Sequence, residues 1–447
     1  MQDRYGVLLY NPISNEGHLD SWHVLFIEIF LAAGWNVIPV TTDPKGLQLK
    51  IKHKNLWGHP CLVWTSDEKP KVATFNSSAF HFSQRVLRQV ERLFESMAQR
   101  EQRSLAARFL DPEQFKEAVS NALDSCRVQV DLIFNMFVDG YLPNSPTWKH
   151  LVFDHSKRSH QTSVHAVTAA IPWVGLCITP EYEKRQGIQS QSSPPLLHDR
   201  PAYYSLSTYR GTCFLEEAAV DAYRNVFSNK QFAFLPDITE TERLSEPNAL
   251  VLEIKRRAAG RRIVFMGGSI GKQKNLSKWI ALIFNVDPTQ WYFVQVGRIS
   301  LNNLTAEDTR ALACVKQQPP ENLYVHDDYL PDETSFNAII AASDVIFAVY
   351  RDFYRSSNML SKAAYFEKPI LVADQCLMGD RVIRYGIGLA VRSNSLEDMQ
   401  AGLVAAVQLQ DLPRKFASYR ADFNRVEFGR RLIDFATTCI NPLRSLA

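Results

Sequence analysis

The chain has 447 residues, 46% of them hydrophobic and 22% charged, and its 50 Lys+Arg against 47 Asp+Glu leave a formal charge of only +3. That length holds two or three domains, each able to bury its own core. The composition excludes a disordered, collagen-like or low-complexity chain, and the charge balance excludes a whole-surface nucleic-acid footprint. Seven cysteines, Cys61, Cys126, Cys177, Cys213, Cys314, Cys376 and Cys439, are scattered without a close pair or a His at ligand spacing. This pattern argues against a zinc site or a disulfide framework and for a reducing compartment. No signal peptide is evident, because Met1-Gln2-Asp3-Arg4 runs straight into an apolar strand. No uncharged apolar run approaches the roughly 20 residues that span a bilayer. The expected location is cytoplasmic, at most peripheral to the inner face of a membrane, with no nucleic-acid partner.

In chain order, Tyr5–Leu9 reads as a strand, followed by turn residues (Asn11, Pro12, Ser14, Asn15, Gly17), a helix over Leu19–Ala33 and a β-branched strand over Trp35–Val40. Further short apolar runs at Cys61–Trp64, Asp131–Phe137, His150–Phe153 and Ile171–Ile178 suit strands covered by helices on both faces. Residues 80–110 carry Phe82, Val86, Val90, Leu93 and Met97 at helical spacing, with arginines around them and Glu91, Glu95 and Glu101 interleaved. This is a surface helix capable of at most weak, salt-sensitive contact with anionic lipid. Gln186–Pro201 is an exposed loop, and Ile238–Pro247 reads as a linker.

The strand and helix alternation then restarts: strand Arg262–Met266, helix Leu276–Phe284, strand Trp291–Val296, strand Leu323–Val325, helix Glu333–Ala342, strand Val345–Val349, helix Ser356–Phe366, strand Pro369–Ala373 and strand Leu389–Val391. An amphipathic helical segment, Phe416–Cys439, closes the chain. The expected fold class is α/β, with two doubly wound domains, residues 1–237 and 248–412, and a terminal helical segment over 413–447.

In such sheets ligands collect outside the carboxyl ends of strands. Two loops there carry suitable chemistry. Gly267-Gly268-Ser269-Ile270-Gly271-Lys272-Gln273-Lys274-Asn275 follows a strand, its glycines allow close backbone approach, and Lys272 and Lys274 can offset a diphosphate. It lacks the Gly-Lys-Ser/Thr ending of a P-loop. Tyr350–Met359 follows the next candidate strand and opens a helix with Ser356, Ser357 and Asn358, good capping residues whose neighbouring N–H groups can also hold phosphate oxygens. Arg351 and Arg355 add charge there. His18, after Gly17 in the first strand-to-helix loop, and His155, beside Asp154 at a strand end, are placed to meet a reacting group.

The order of these segments over Arg262 to about Asp398 resembles the donor half of family 4 GT-B glycosyltransferases. The residues carrying the resemblance are the glycine loop with Lys274-Asn275, Leu323–Leu330, Ala341–Val345, Ser356–Ala363 and Glu367–Ala373. The first half resembles the family more loosely, through Gly17-His18 and Val152–His155. The resemblance implies two Rossmann-like domains facing a cleft, with the acceptor bound by 1–237, the nucleotide-sugar by 248–412, and the terminal helix crossing back. It implies transfer of a hexose from a UDP- or GDP-linked donor to a hydroxyl of a glycan, lipid-linked or protein acceptor, with retention, no metal and no further cofactor.

On that basis Gly268, Ser269, Lys272, Lys274, Arg298, Ser356, Ser357, Asn358 and Met359 would hold the diphosphate, Tyr329 and Leu330 the base, Gly17 and His18 the acceptor, and His18 and His155 would serve catalysis. Two departures stand out. The family's paired glutamates, eight positions apart, fall on Tyr354 and Lys362, and its phosphate-binding arginine falls on Gly268. Either the diphosphate is gripped differently or the donor site has decayed. A nucleotide-sugar epimerase of the same fold and a non-catalytic nucleotide- or carbohydrate-binding partner are the alternatives.

Overall fold

A computed structural model describes residues 4–14, 19–65, 110–154, 170–180, 201–242, 249–330, 332–374 and 377–441. The chain divides into two units. The first comprises the described residues up to 180, 201–235 and 429–441, and the second comprises 236–428.

In the first unit, β1 (Gly6–Asn11) is buried along its whole length, as a short continuous apolar run in a parallel sheet must be. It is followed by α1 (Leu19–Ala32), β2 (Asn36–Thr41), α2 (Pro44–His53), α3 (Pro112–Ser125), β3 (Leu132–Asn135), β4 (Trp173–Cys177), β5 (Tyr209–Phe214), α4 (Glu217–Val226) and β6 (Gln231–Phe234). The sheet is parallel with order β2-β1-β3-β4-β5-β6. The start of α2 is set by Asp43, whose carboxylate accepts from Gly46 N, with Pro44 in the first turn. An aromatic core lies on one face: Trp148 stacks on Trp173 at 5.9 Å, and Trp173 meets Tyr209 at 4.4 Å.

Two expected strands are absent among the described residues. Cys61–Trp64 makes only an isolated bridge, Leu62 to Val37. His150–Phe153 is the end of a short 3-10 helix, Pro146–His150, and the coil after it, because Pro146 starts a turn and Trp148 is drawn into the core. The helix expected over 80–110 lies outside the described residues except for Leu110.

The second unit holds α5 (Ala249–Ala258), β7 (Arg262–Gly267), α6 (Leu276–Asn285), β8 (Trp291–Val296), α7 (Ala306–Gln317), β9 (Leu323–His326), α8 (Glu333–Ala342), β10 (Val345–Ala348), α9 (Asn358–Tyr365), β11 (Ile370–Ala373), α10 (Leu377–Tyr385), β12 (Gly388–Val391), α11 (Leu396–Ala406) and α12 (Leu412–Asp422). Its parallel sheet has the order β12-β11-β10-β7-β8-β9. Trp279 on α6 anchors the core, 5.0 Å from the rings of both Phe293 and Phe347.

The segment beyond Pro413 is not one element. It breaks at Phe423 into α12 and α13 (Arg425–Ile440), and the boundary between the units falls inside α13, between Phe428 and Gly429. The described start of the linker is tied to the second unit, where Asn337 Nδ2 donates to the carbonyls of Glu240 (3.1 Å) and Glu242 (2.7 Å), and Ser361 Oγ donates to Asp237 O.

Each strand order reverses once, between β1 and β3 in the first unit and between β7 and β10 in the second. At such a reversal the following loops diverge and leave a crevice at the carboxyl ends of the strands, which is where open α/β sheets bind ligands. The glycine loop follows β7 and the serine-rich loop follows β10, so both sequence candidates in the second half sit at this point.

Candidate active site

In the second unit, the chain leaves β7 through Gly267 and Gly268. Gly268 has φ +94° and Gly297, at the end of β8, has φ +130°; a Cβ on Gly297 would fall 2.0 Å from Gly268 O. Only glycine allows this approach of the two strand ends. Gly268 N–H donates to Val296 O at 3.0 Å, so this group extends the sheet and is not available to an anion. Ser269 is exposed, and its N–H has no partner among the described residues. Lys272 and Arg298 are also exposed.

Lys274 joins the two loops. Its Nζ donates to Gly267 O at 3.0 Å and to Tyr350 OH at 2.7 Å. An ammonium has three donors, so one is left to point at a ligand oxygen. Further bonds fasten the loops together. Arg351 N donates to Gln273 O at 2.9 Å, Asn275 Nδ2 donates to Val349 O at 3.2 Å, and Arg355 Nη2 donates to Gln273 Oε1 at 3.4 Å. Asn275 holds the left-handed conformation (φ 56°) that turns the chain from the loop into α6.

Arg351 plays a different part from the one its sequence position suggests. Its guanidinium points into the protein, donating to Asn275 Oδ1 (3.0 Å) and Ser277 Oγ (2.8 Å) and lying 3.5 Å from the buried Asp308 carboxylate. Asp308 also accepts from Ser277 N at 2.8 Å. The residue therefore pins the starts of α6 and α7 rather than offering charge to a phosphate.

The loop after β10 enters α9 with Ser357 as N-cap, its Oγ accepting from Met359 N at 3.3 Å. The cap uses the Met359 N–H, and Met359 itself is buried. The N–H groups of Ser356 and Ser357 have no partner among the described residues. They belong to the segment that leads into the positive end of α9. Asn358 begins the helix.

Tyr329, 59% exposed, and the half-buried Leu330 follow β9, which is separated from β7 by β8. The Asp328 carboxylate caps Tyr329 N at 2.8 Å.

Lys362, at one of the two positions where a glutamate is expected, is 1% exposed and donates to Glu333 Oε1 and to Asn337 Oδ1 (2.6 Å). Burial holds its pKa below the ordinary lysine value, against the raising influence of Glu333. It links α9 to α8 and, through Asn337, to the linker. The charge reversal at this position thus has a structural partner that no local sequence pattern announces.

In the first unit, Gly17, His18 and His155 lie outside the described residues; Asp154 is exposed. The described groups at the carboxyl ends of β1, β2 and β3 are mostly uncharged. Asn11 Nδ2 donates to Asp20 Oδ1 at 3.2 Å, Lys50 pairs with Asp20 at 3.2 Å, and the hydroxyls of Ser14 and Thr41 share a hydrogen bond at 2.7 Å. Asp139, after β3, accepts from Ile178 N (3.1 Å) and Thr179 N (2.6 Å) and so ties the loops after β3 and β4 together. Burial pushes its carboxyl above the ordinary value, partly opposed by these donors. Among the described residues no group of three His, Cys, Asp or Glu could hold a metal ion, and no helix is long and apolar enough to cross a membrane.

The fold so defined is that of GT-B glycosyltransferases. Among solved structures, the chain is similar to a glycosyltransferase from Rickettsia africae (10% identity, TM-score 0.57, covering 98% of this chain and 99% of that one). It is similar to Anabaena HepE in complex with UDP and glucose (10% identity, TM-score 0.57, 97% and 100%). A UDP-forming α,α-trehalose-phosphate synthase from Burkholderia xenovorans is also similar (8% identity, TM-score 0.55, 98% and 99%). No protein-family model matches the chain, and no curated protein matches it in sequence.

Proposed function

We propose that this chain is a nucleotide-sugar-dependent glycosyltransferase, a hexosyltransferase of the family 4 kind, using a UDP-linked donor. The observation that carries the reading is Lys274: its ammonium ties the glycine loop after β7 to Tyr350 after β10, at the strand-order reversal and beside the positive end of α9. Such a cluster of donors is matched to a diphosphate. The likeness over nearly the whole chain to proteins described with UDP supports the choice of nucleotide.

In this reading the second unit binds the donor, and the leaving UDP is stabilised by the third donor of Lys274, by the N–H groups of Ser269, Ser356 and Ser357, and by the field of α9. Lys272 and Arg298 add longer-range attraction. Tyr329 and Leu330 flank the base. The first unit binds a glycan, lipid-linked or protein acceptor that brings the hydroxyl, the roles expected of Gly17, His18 and His155 are on this acceptor side, and the glycosyl bond forms with retention. The nucleotide-sugar is a co-substrate and no further cofactor is needed. Six described cysteines are free thiols, which agrees with a cytoplasmic location.

The test is incubation of the purified chain with a panel of UDP- and GDP-sugars and candidate acceptors. Release of UDP coupled to a glycosylated product supports the proposal. An epimerised donor, or saturable binding with no turnover, would replace it with the epimerase or the binding-partner reading.

A further inference from the structure

Arg381, on α10, is 1% exposed. Its Nη1 donates to Ser356 Oγ at 2.6 Å, immediately before the N-cap of α9. The guanidinium carbon lies 4.7 Å from the ring centroid of Phe423, which is itself stacked on Tyr419 at 4.3 Å. Gly379 brings the first turn of α10 against the end of β11; a Cβ there would meet Ala373 O at 2.6 Å, so the helix could not sit this close with any other residue.

A buried cation is costly unless its surroundings compensate it. Here stacking on an aromatic ring and a hydroxyl acceptor do part of this, and both suit the planar, forked guanidinium better than an ammonium. The bond to Ser356 Oγ falls one residue before the N-cap of α9, at the end of the helix where anions are favoured.

We infer that Arg381 is a positioning residue for the donor's diphosphate, an inference that rests on the nucleotide-sugar reading above. Through its bond to Ser356 Oγ it fixes the N–H groups that open α9. It is too deeply buried to touch the donor itself.

The experiment is calorimetric titration of the full chain with UDP and, separately, with uridine, for the wild type, Arg381→Gln, Arg381→Lys, Ser356→Ala and the double variant Arg381→Gln/Ser356→Ala. A group acting through the diphosphate changes only the first affinity. Arg381→Gln should weaken UDP about tenfold or more while uridine changes by no more than about twofold, as expected for a lost charge-assisted contribution. Arg381→Lys should recover part of the loss, and Ser356→Ala should reproduce part of it. The double variant should be no worse than Arg381→Gln alone, because the two act in series.

Equal weakening of UDP and uridine would reduce Arg381 to a packing residue, and unchanged UDP affinity would overturn the inference. If Arg381→Gln does not fold, Ser356→Ala and Arg381→Lys decide it, since an unchanged UDP-to-uridine ratio in both is equally fatal. A wild type that binds UDP while the variants show no selective loss refutes only the role of Arg381. A wild type that binds neither probe refutes the nucleotide reading and this inference with it.

Discussion

The carboxyl edges of the two sheets share a topology and differ in chemistry. In the second unit the groups at the strand-order reversal are cationic and cross-linked: Lys274 spans two loops, Arg381 lies behind Ser356, and a helix presents its positive end. In the first unit the described groups at the same place are amides, hydroxyls, carboxylates and one lysine paired with a carboxylate: Asn11, Ser14, Thr41, Asp20, Asp139 and Lys50. One edge gathers cationic groups, and the other mixes amides, hydroxyls and paired charges. The same βα framework therefore supplies the position of a site, and the loops supply its chemistry.

The largest effect expected from disturbing this contrast is at the phosphate edge. Ser357→Pro removes a backbone N–H and demands φ near −65° where the native residue has −141°. Turnover should fall on the order of 100-fold or more, since the proline also deletes the cap hydroxyl. Steady-state kinetics check this, and normal turnover would remove that N–H from the site.

Lys274→Ala should weaken UDP binding by about 1.5–3 kcal/mol, the size of a charge-assisted contact, with far-UV circular dichroism unchanged. Calorimetry that finds unaltered UDP affinity would place the diphosphate elsewhere.

The first unit carries an acid-sensitive group in its core. His23 on α1 is fully buried, and burial lowers its pKa from 6.5 to about 4 against the raising effect of Asp20. Below pH 6.5 the unfolded chain takes up a proton that the folded chain refuses until about pH 4. Stability is therefore full above pH 6.5 and falls on acidification, by about 3 kcal/mol once pH 4 is reached. Asp139, pushed upward by burial, acts with the opposite sign. His23→Leu isolates the histidine, and the protection of α1 and β1 amides at pH 7 and pH 4.5, corrected for the intrinsic exchange rate at each pH, should lose much of its pH dependence in the variant. An identical pH dependence in both proteins would contradict the assignment.

Much of this organisation was legible in the residues. Strands such as Trp291–Val296 are buried on both faces and so appear as unbroken apolar runs, and both candidate loops follow such runs. What escaped depends on partners distant in sequence. Arg351 looks like a phosphate ligand beside Ser356, but Asn275, Ser277 and Asp308 turn it inward. Gly268 looks like an N–H donor until Val296 takes that bond. Arg381 lies outside every motif, and only the packing of α10 brings it to Ser356. Helix α7 has almost no buried apolar stripe, and the capping box of Thr305 with Asp308 is its sequence signal.

Smaller effects sharpen the comparison further. Lys362→Glu installs the carboxylate that the family pattern would place there, yet it would put that group against Glu333 in a buried setting. The variant should lose about 1–3 kcal/mol of stability and gain no donor affinity, which thermal melting and titration would check together. Smaller still is Arg298→Ala, an exposed residue whose loss should change UDP affinity by no more than about 1 kcal/mol, and less at high salt.

The most direct test is a crystal structure of the chain with UDP. The account predicts the diphosphate at the carboxyl edge of β7 and β10, with oxygens about 3 Å from Lys274 Nζ and from the N–H groups of Ser356 and Ser357. A nucleotide bound away from the loops that follow β7 and β10, or phosphates that leave Lys274 and the start of α9 without contact, would contradict it.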